Sequence, residues 1–283
     1  MPILSTVTGS FFAGRRASAF AGVPWDPSTD ISPALWMDAS DASSYTLNFN
    51  NIQSITDKSS NSVGITVTGT PQLIGAVSGL NNLPVILFDG TEDFTATLSH
   101  QVTNGNHWAI GVMKWQSRDD PQDSFWSIET NESPKRDYAI SAGTSNFDGE
   151  LDLDGLSSNR ISSTIGNKQD FDSGIAQNTW IILVAIFNRT GNQIAIRANG
   201  TNKFTPVNDY DNSLSSNQDV RIFRNRANER MGGSLAEWFS VADIPGTGGT
   251  DISTVEAAEG YLAHKWGLTG SLPVGHPYKN SAP

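Results

Sequence analysis

Trp180-Ile-Ile-Leu-Val-Ala-Ile-Phe187 is an unbroken apolar run of strand length, rich in β-branched side chains. Such a segment reads as the most buried strand of a sheet, covered on both faces. Asn188 to Asn192 then supplies a turn, and Gln193–Ala198 follows with Ile194 and Ile196 on one face. Asn199-Gly200 closes that strand with the strongest short-range hairpin signal, because both residues tolerate φ > 0. His107–Trp115 alternates Trp108, Ile110 and Val112 on one face with Ala109, Met113 and Trp115 on the other, so both its sides are expected to be covered. Further strands fit residues 83–88, 95–99, 124–129, 137–141, 148–154, 219–223 and 234–241. Many short strands with Gly- and Asn-rich connections predict an all-β fold, a sandwich or a jelly roll.

One helix closes the domain. Val255, Ala258, Leu262 and Trp266 recur at spacings of three and four, which puts one apolar stripe on a helix over 253–266. Ser253-Thr-Val-Glu256 reads as a capping box at its start, and Gly267 stands where a left-handed cap belongs at its end. Residues 1–30 stand apart as an N-terminal arm, with 31–283 as the folded domain. The prolines at 24, 27 and 33 favour an extended path for the end of that arm. The arm's large side chains, Phe11, Phe12, Phe20 and Trp25, need a surface other than the arm to bury them. With Arg15 and Arg16 they make a candidate assembly anchor; packing on the arm's own domain is the alternative.

Eighteen Lys and Arg stand against 29 Asp and Glu, a formal net charge of -11. That field repels phosphate backbones and anionic lipid, so neither nucleic acid nor a membrane surface is expected as a partner. No apolar run approaches the roughly 20 residues that span a bilayer. Arg15 and Arg16 lie behind the first apolar stretch rather than ahead of it, so no export signal is expected. The chain has no cysteine, which excludes disulfides, thiolate metal sites and thiol nucleophiles. His100, His107, His264 and His276 form no pair at metal-ligand spacing.

Three segments together resemble a known group. They are Ala34-Leu-Trp-Met-Asp-Ala-Ser-Asp-Ala-Ser-Ser44, Gly79-Leu-Asn-Asn-Leu-Pro-Val-Ile-Leu-Phe-Asp-Gly90, and Ala258-Glu-Gly-Tyr-Leu-Ala-His-Lys-Trp-Gly-Leu268 with Leu272-Pro and His276-Pro-Tyr. They look like concanavalin A-like, laminin-G-type jelly-roll domains of bacterial surface proteins and marine phage virion proteins, over roughly residues 31–279. Met-Pro-Ile-Leu-Ser-Thr-Val-Thr-Gly-Ser also resembles the openings of marine phage structural proteins. The resemblance implies a two-sheet antiparallel jelly-roll sandwich, glycan or protein binding on a concave face or loop rim, and often Ca2+. It places candidate Ca2+ ligands at Asp38, Asp41, Asp89 and Asp93, residues that otherwise make turns by bonding their own backbone. It also draws attention to Glu150, Asp152 and Asp154. Glucanases of this fold carry carboxylates at alternate positions of one strand, where one can act as nucleophile and another as acid. The other reading is a solvated acidic strand face.

Candidate glycan contacts are Trp115, Trp126 and Tyr138, which either stack on sugars or fill the core. Arg221, Arg224 and Arg226, with Arg230, either grip an acidic glycan or form an ion-paired loop. The expected function is a non-enzymatic phage virion structural protein, a capsid decoration or a tail or fibre component. It would assemble in the host cytoplasm, contact other virion proteins through its arm, and adsorb to polysaccharide; edge-to-edge homo-oligomers fit as well. The alternatives are a glycan-binding module of a bacterial surface protein and, third, a glycoside hydrolase using Glu150 and Asp154.

Overall fold

A computed structural model describes residues 24–98, 107–118, 124–130, 138–141, 152–154, 169–170, 177–188, 193–204, 217–224, 230–242 and 252–283. Among them the chain forms two antiparallel sheets. The first contains β1 (Leu35–Asp38), β2 (Tyr45–Asn48), β3 (Asn51–Ile55), β5 (Gln72–Ile74), β6 (Val85–Asp89), β8 (His107–Arg118), β13 (Ile181–Asn188), β14 (Gln193–Ala198), β15 (Thr201–Phe204) and β17 (Met231–Ala242). Its order is β15-β14-β13-β8-β17-β6-β5-β3-β2, with β1 also paired to β17. The second contains β4 (Ile65–Thr68), β7 (Asp93–Leu98), β9 (Ser124–Thr130), β10 (Tyr138–Ser141), β11 (Asp152–Asp154), β12 (Gln169–Asp170) and β16 (Gln218–Ile222). Its order is β12-β11-β10-β9-β16-β7-β4. The predicted antiparallel β-sandwich is what the chain forms.

The period of two decides what each central strand does. On β8, Ala109, Met113 and Trp115 enter the core between the sheets, while Trp108, Ile110 and Val112 face a second core on the outer side of the first sheet. On β13, Ile181, Leu183 and Ala185 go to the first core and Ile182, Val184 and Ile186 to the second. A helix, α2 (Ile252–Lys265), covers that outer side with Val255, Ala258, Leu262 and Ala263, and Trp266 follows from just beyond its end. Burial of Val255 and Leu262 contributes roughly 1.5–3 kcal/mol each, and the alanine methyls let the helix lie close to the sheet. Two glycines permit close approach. A Cβ on Gly111 would lie 2.8 Å from Trp238, and one on Gly260 would lie 2.4 Å from Cβ of Tyr278, in the tail that folds back over α2.

Asn199 and Gly200 both have positive φ, 49° and 75°, in the predicted two-residue hairpin between β14 and β15. Gly267 has φ +70°, and the Leu268 N–H reaches the Ala263 carbonyl at 2.7 Å, a Schellman closure of α2. Two expectations are corrected. Helix α2 starts at Ile252, so Ser253 lies in its first turn, one residue inside the start that the sequence reading gave it. The proline-rich stretch is not wholly extended: Pro27 opens a short helix, α1 (Pro27–Asp30), with Asp26 as its cap. Proline suits that first position because its missing N–H has no helical partner there. Strands β2 to β5 escaped the sequence reading because they are short and mostly exposed or half-exposed, and β1 because it is only four residues long and buried throughout, with no alternation to show.

Candidate functional site

The residues that carried the resemblance meet where α2 crosses the first sheet. Glu237, on β17 and fully buried, accepts four hydrogen bonds. They come from Trp36 Nε1 at 2.9 Å, Tyr261 Oη at 3.1 Å, Trp266 Nε1 at 2.8 Å and Lys265 Nζ at 2.7 Å. Lys265 continues to Asp38 Oδ2 at 2.8 Å, and Lys58 joins that same oxygen at 2.7 Å and Asp41 at 3.0 Å. The Lys58 ammonium also sits 4.3 Å above the Trp36 ring. Burial pushes the Glu237 carboxyl up, and Lys265 only partly opposes it. Burial acts the same way on Asp38, but Lys265 and Lys58 outweigh it and hold that carboxyl below its usual range. Hydrogen bonds from Ser43 and Lys58 bring Asp41 down to about 2.

A second buried group lies further along α2. Arg197 on β14 donates to both oxygens of Glu259 at 2.9 Å, and His276 Nε2 lies 3.2 Å from the same carboxylate. Asn81 donates from its side chain to the carbonyls of His264 and Lys265, closing the end of the helix. The motif residues Glu259, Tyr261, Lys265, Trp266 and His276 therefore hold the helix and tail to the sheet. Their chemistry is that of a fastening.

The second sheet shows a different surface. Phe94, Ala96, Val220, Ile222, Trp126 and Ile128 face the core, so register puts Thr95, Thr97, Asp219, Arg221 and Ser127 on the other face. Asp93, Ser127, Asp219 and Arg221 on this face are nonetheless buried. Asp93 lies between Arg230 at 2.9 Å and Arg224 at 3.5 Å, and Arg221 pairs with Asp219 at 2.8 Å. Backbone register continues this face to Asp154 and Asp152 on β11.

Several sequence candidates are thereby relocated. Trp115 and Trp126 are 3% and 0% exposed in the core between the sheets, where no sugar reaches them. Trp126 packs edge-on against Trp238 with ring centroids 6.3 Å apart. Trp25, counted with the anchor, is half-buried against Tyr261 at 5.1 Å, so it belongs to the domain's outer core. Arg221 and Arg224 are in ion pairs, as the alternative reading had it. Phe11, Phe12, Arg15, Arg16, Phe20, Glu150 and Arg226 lie outside the described residues, and of Tyr138 only the strand position is described. The four carboxylates do not fit a Ca2+ site. Ammonium groups occupy the Asp38–Asp41 side, guanidinium groups hold Asp93, and Asp89 accepts from the backbone and hydroxyl of Thr91. Among the described residues no cluster of three His, Asp or Glu is arranged for a metal. Sequence reasoning missed Glu237 altogether: a lone Glu within a strand gives no sign that four donors will converge on it.

No protein-family model matches the chain, and no curated protein sequence matches it significantly. Solved structures do. Domain 4 of a GH43 extracellular arabinanase from Geobacillus stearothermophilus, in complex with arabinotriose, superposes with TM-score 0.52 at 15% identity, over 80% of this chain and 97% of that one. An arabinofuranosidase complexed with arabinofuranosyl-alpha-1,2-xylobiose gives 0.57 at 13%, over 76% and 51%. The binding domain of Botulinum neurotoxin DC in complex with SialylT gives 0.54 at 13%, over 82% and 52%. The chain spans about half the length of the last two. At these identities the likeness is one of fold, a two-sheet β-sandwich.

Proposed function

We propose that the protein is a non-enzymatic carbohydrate-binding β-sandwich module, carried on a phage virion. The observation that carries the binding role is the shared architecture with a domain solved in complex with arabinotriose, and with about half of two chains solved with arabinofuranosyl-alpha-1,2-xylobiose and with SialylT. The non-enzymatic part keeps to the reading of Glu150, Asp152 and Asp154 as a solvated acidic strand face; the buried carboxylates Asp38, Asp93, Glu237 and Glu259 are each paired with Lys or Arg. The virion role rests on the resemblance of the opening residues and of the three motif segments. In this reading the arm joins other virion proteins and the sandwich faces outward, toward polysaccharide. The protein should be retained on at least one insoluble polysaccharide without releasing reducing sugar. Sugar release that Glu150→Gln abolishes would make it a glycoside hydrolase, and failure to bind any glycan would end the carbohydrate reading. Mass spectrometry of purified particles decides the virion part, which falls if the protein is absent from them.

A further inference from the structure

The hairpin of β2 and β3 departs from the rest of the surface in three ways at once. Asn48 pairs with Asn51, leaving Phe49-Asn50 as a two-residue loop, and Phe49 has φ 54°. A positive φ at the first loop residue is where such hairpins place glycine, and a bulky ring there is a true outlier. The ring is also 93% exposed, the most exposed large apolar side chain among the described residues, with Leu47 beside it at 42%. Finally, the chain is 17% charged, yet Ala42 through Thr56 contains no charged residue. Asn48 and Asn50 flank the ring in the chain, Gln72 pairs with Asn51 on the next strand, and all three are exposed, as is Gln53 on β3.

The tip is firmly held from behind. The Leu73 N–H donates to the Asn50 carbonyl and the Ile52 N–H to the Pro71 carbonyl, each at 2.8 Å. Thr46 and Ser54 hydroxyls bridge the two strands at 2.6 Å. A rigid, strained backbone thus presents an aromatic face with neutral amides beside it. Such strain persists where the position serves a purpose other than stability. An aromatic face suits the C–H surface of a sugar ring, and uncharged amides suit its hydroxyls by donating and accepting at one site. The hairpin itself offers an anionic ligand no cation.

We propose that the β2–β3 tip, with Phe49 as stacking platform and Asn48, Asn50 and Gln72 as polar neighbours, binds neutral polysaccharide. This rests on the carbohydrate-binding reading above and gives it a location. The test compares wild type, Phe49→Gly and Phe49→Tyr on neutral arabinan and xylan and on acidic polygalacturonate, with thermal melts and sedimentation of each variant. Phe49→Gly relieves the backbone, so its melting temperature should hold or rise while neutral-glycan affinity falls by about tenfold, the scale of one aromatic contact. Phe49→Tyr should keep binding. Unchanged binding by Phe49→Gly would sink this location and leave the carbohydrate reading standing, as would binding confined to polygalacturonate. No binding by wild type would overturn both. A wild-type oligomer that Phe49→Gly dissociates would show instead that the tip contacts a second copy.

Discussion

The helix-side network around Glu237 and the β2–β3 tip are opposite kinds of surface in one molecule. The first is rich in charge and in motif residues, and nearly every polar atom named in it has a partner within the domain. The second has no charge and no motif, and it exposes an aromatic ring on a strained backbone. The contrast teaches that the segments carrying the resemblance are those that keep the fold closed. The tip carries a small local strain instead of buried ion pairs, and the proposed recognition would draw on it. The three segments that carried the resemblance identify the architecture for that reason and are silent on ligand.

The comparison breaks first at Glu237. Glu237→Ala strands the Trp36, Trp266 and Tyr261 donors and leaves Lys265 with the Asp38 carboxylate and the Tyr261 hydroxyl. Loss of one member of such a buried charged group should cost about 3–5 kcal/mol in denaturant unfolding. A loss within the noise of a surface substitution would show that the network is dispensable. The tip substitution Phe49→Gly, by contrast, should lose nothing in the same titration.

Gly260→Ala is the next largest. Alanine favours helix by about 1 kcal/mol, but its methyl would meet Tyr278, an overpacking of about 1–3 kcal/mol. A net loss of about 1 kcal/mol is expected, and it should disappear when Gly260→Ala is made in a Tyr278→Gly background, which removes the Cβ that the methyl would meet. A stabilised single variant would mean that the tail does not lie on α2.

The smallest effect is in acid. Asp38 and Asp41 have lowered folded values, so their stabilisation is complete above the ordinary Asp value near 3.9 and disappears as pH falls through the folded one, about 2 for Asp41. Glu237 is raised, and its contribution runs the other way, declining as pH climbs from its ordinary value toward the folded one. Melting temperature should therefore fall between about pH 4 and 2, and Asp41→Asn should flatten part of that fall. An identical profile in the variant would remove Asp41 from the network's acid response.

Much of the frame was legible in the sequence because period-2 burial is a local signal. Trp108, Ile110 and Val112 against Ala109, Met113 and Trp115 announced both cores, and Asn199-Gly200 announced its hairpin. What stayed hidden depends on distant partners. Trp115 and Trp126 looked as suited to sugar as to core, and only strand pairing settles that they are core. Asp38 looked like a calcium ligand until Lys58 and Lys265 arrived from 20 and 227 residues away. The tip of β2 and β3 was invisible, since a Phe between two Asn resembles any polar loop until its φ and exposure are known.

The separations within the network set the order in which the protein can form. Trp36 meets Glu237 across 201 positions and Asp38 meets Lys265 across 227. During synthesis the early strands must wait, with Trp36 and Asp38 uncovered, until α2 has left the ribosome. Contacts of such high order make folding slow and prolong exposure to aggregation. Helix α2 thus acts as the latch of a ring closure, and shortening the chain within it should leave the early strands a burden on chaperones rather than a smaller working domain.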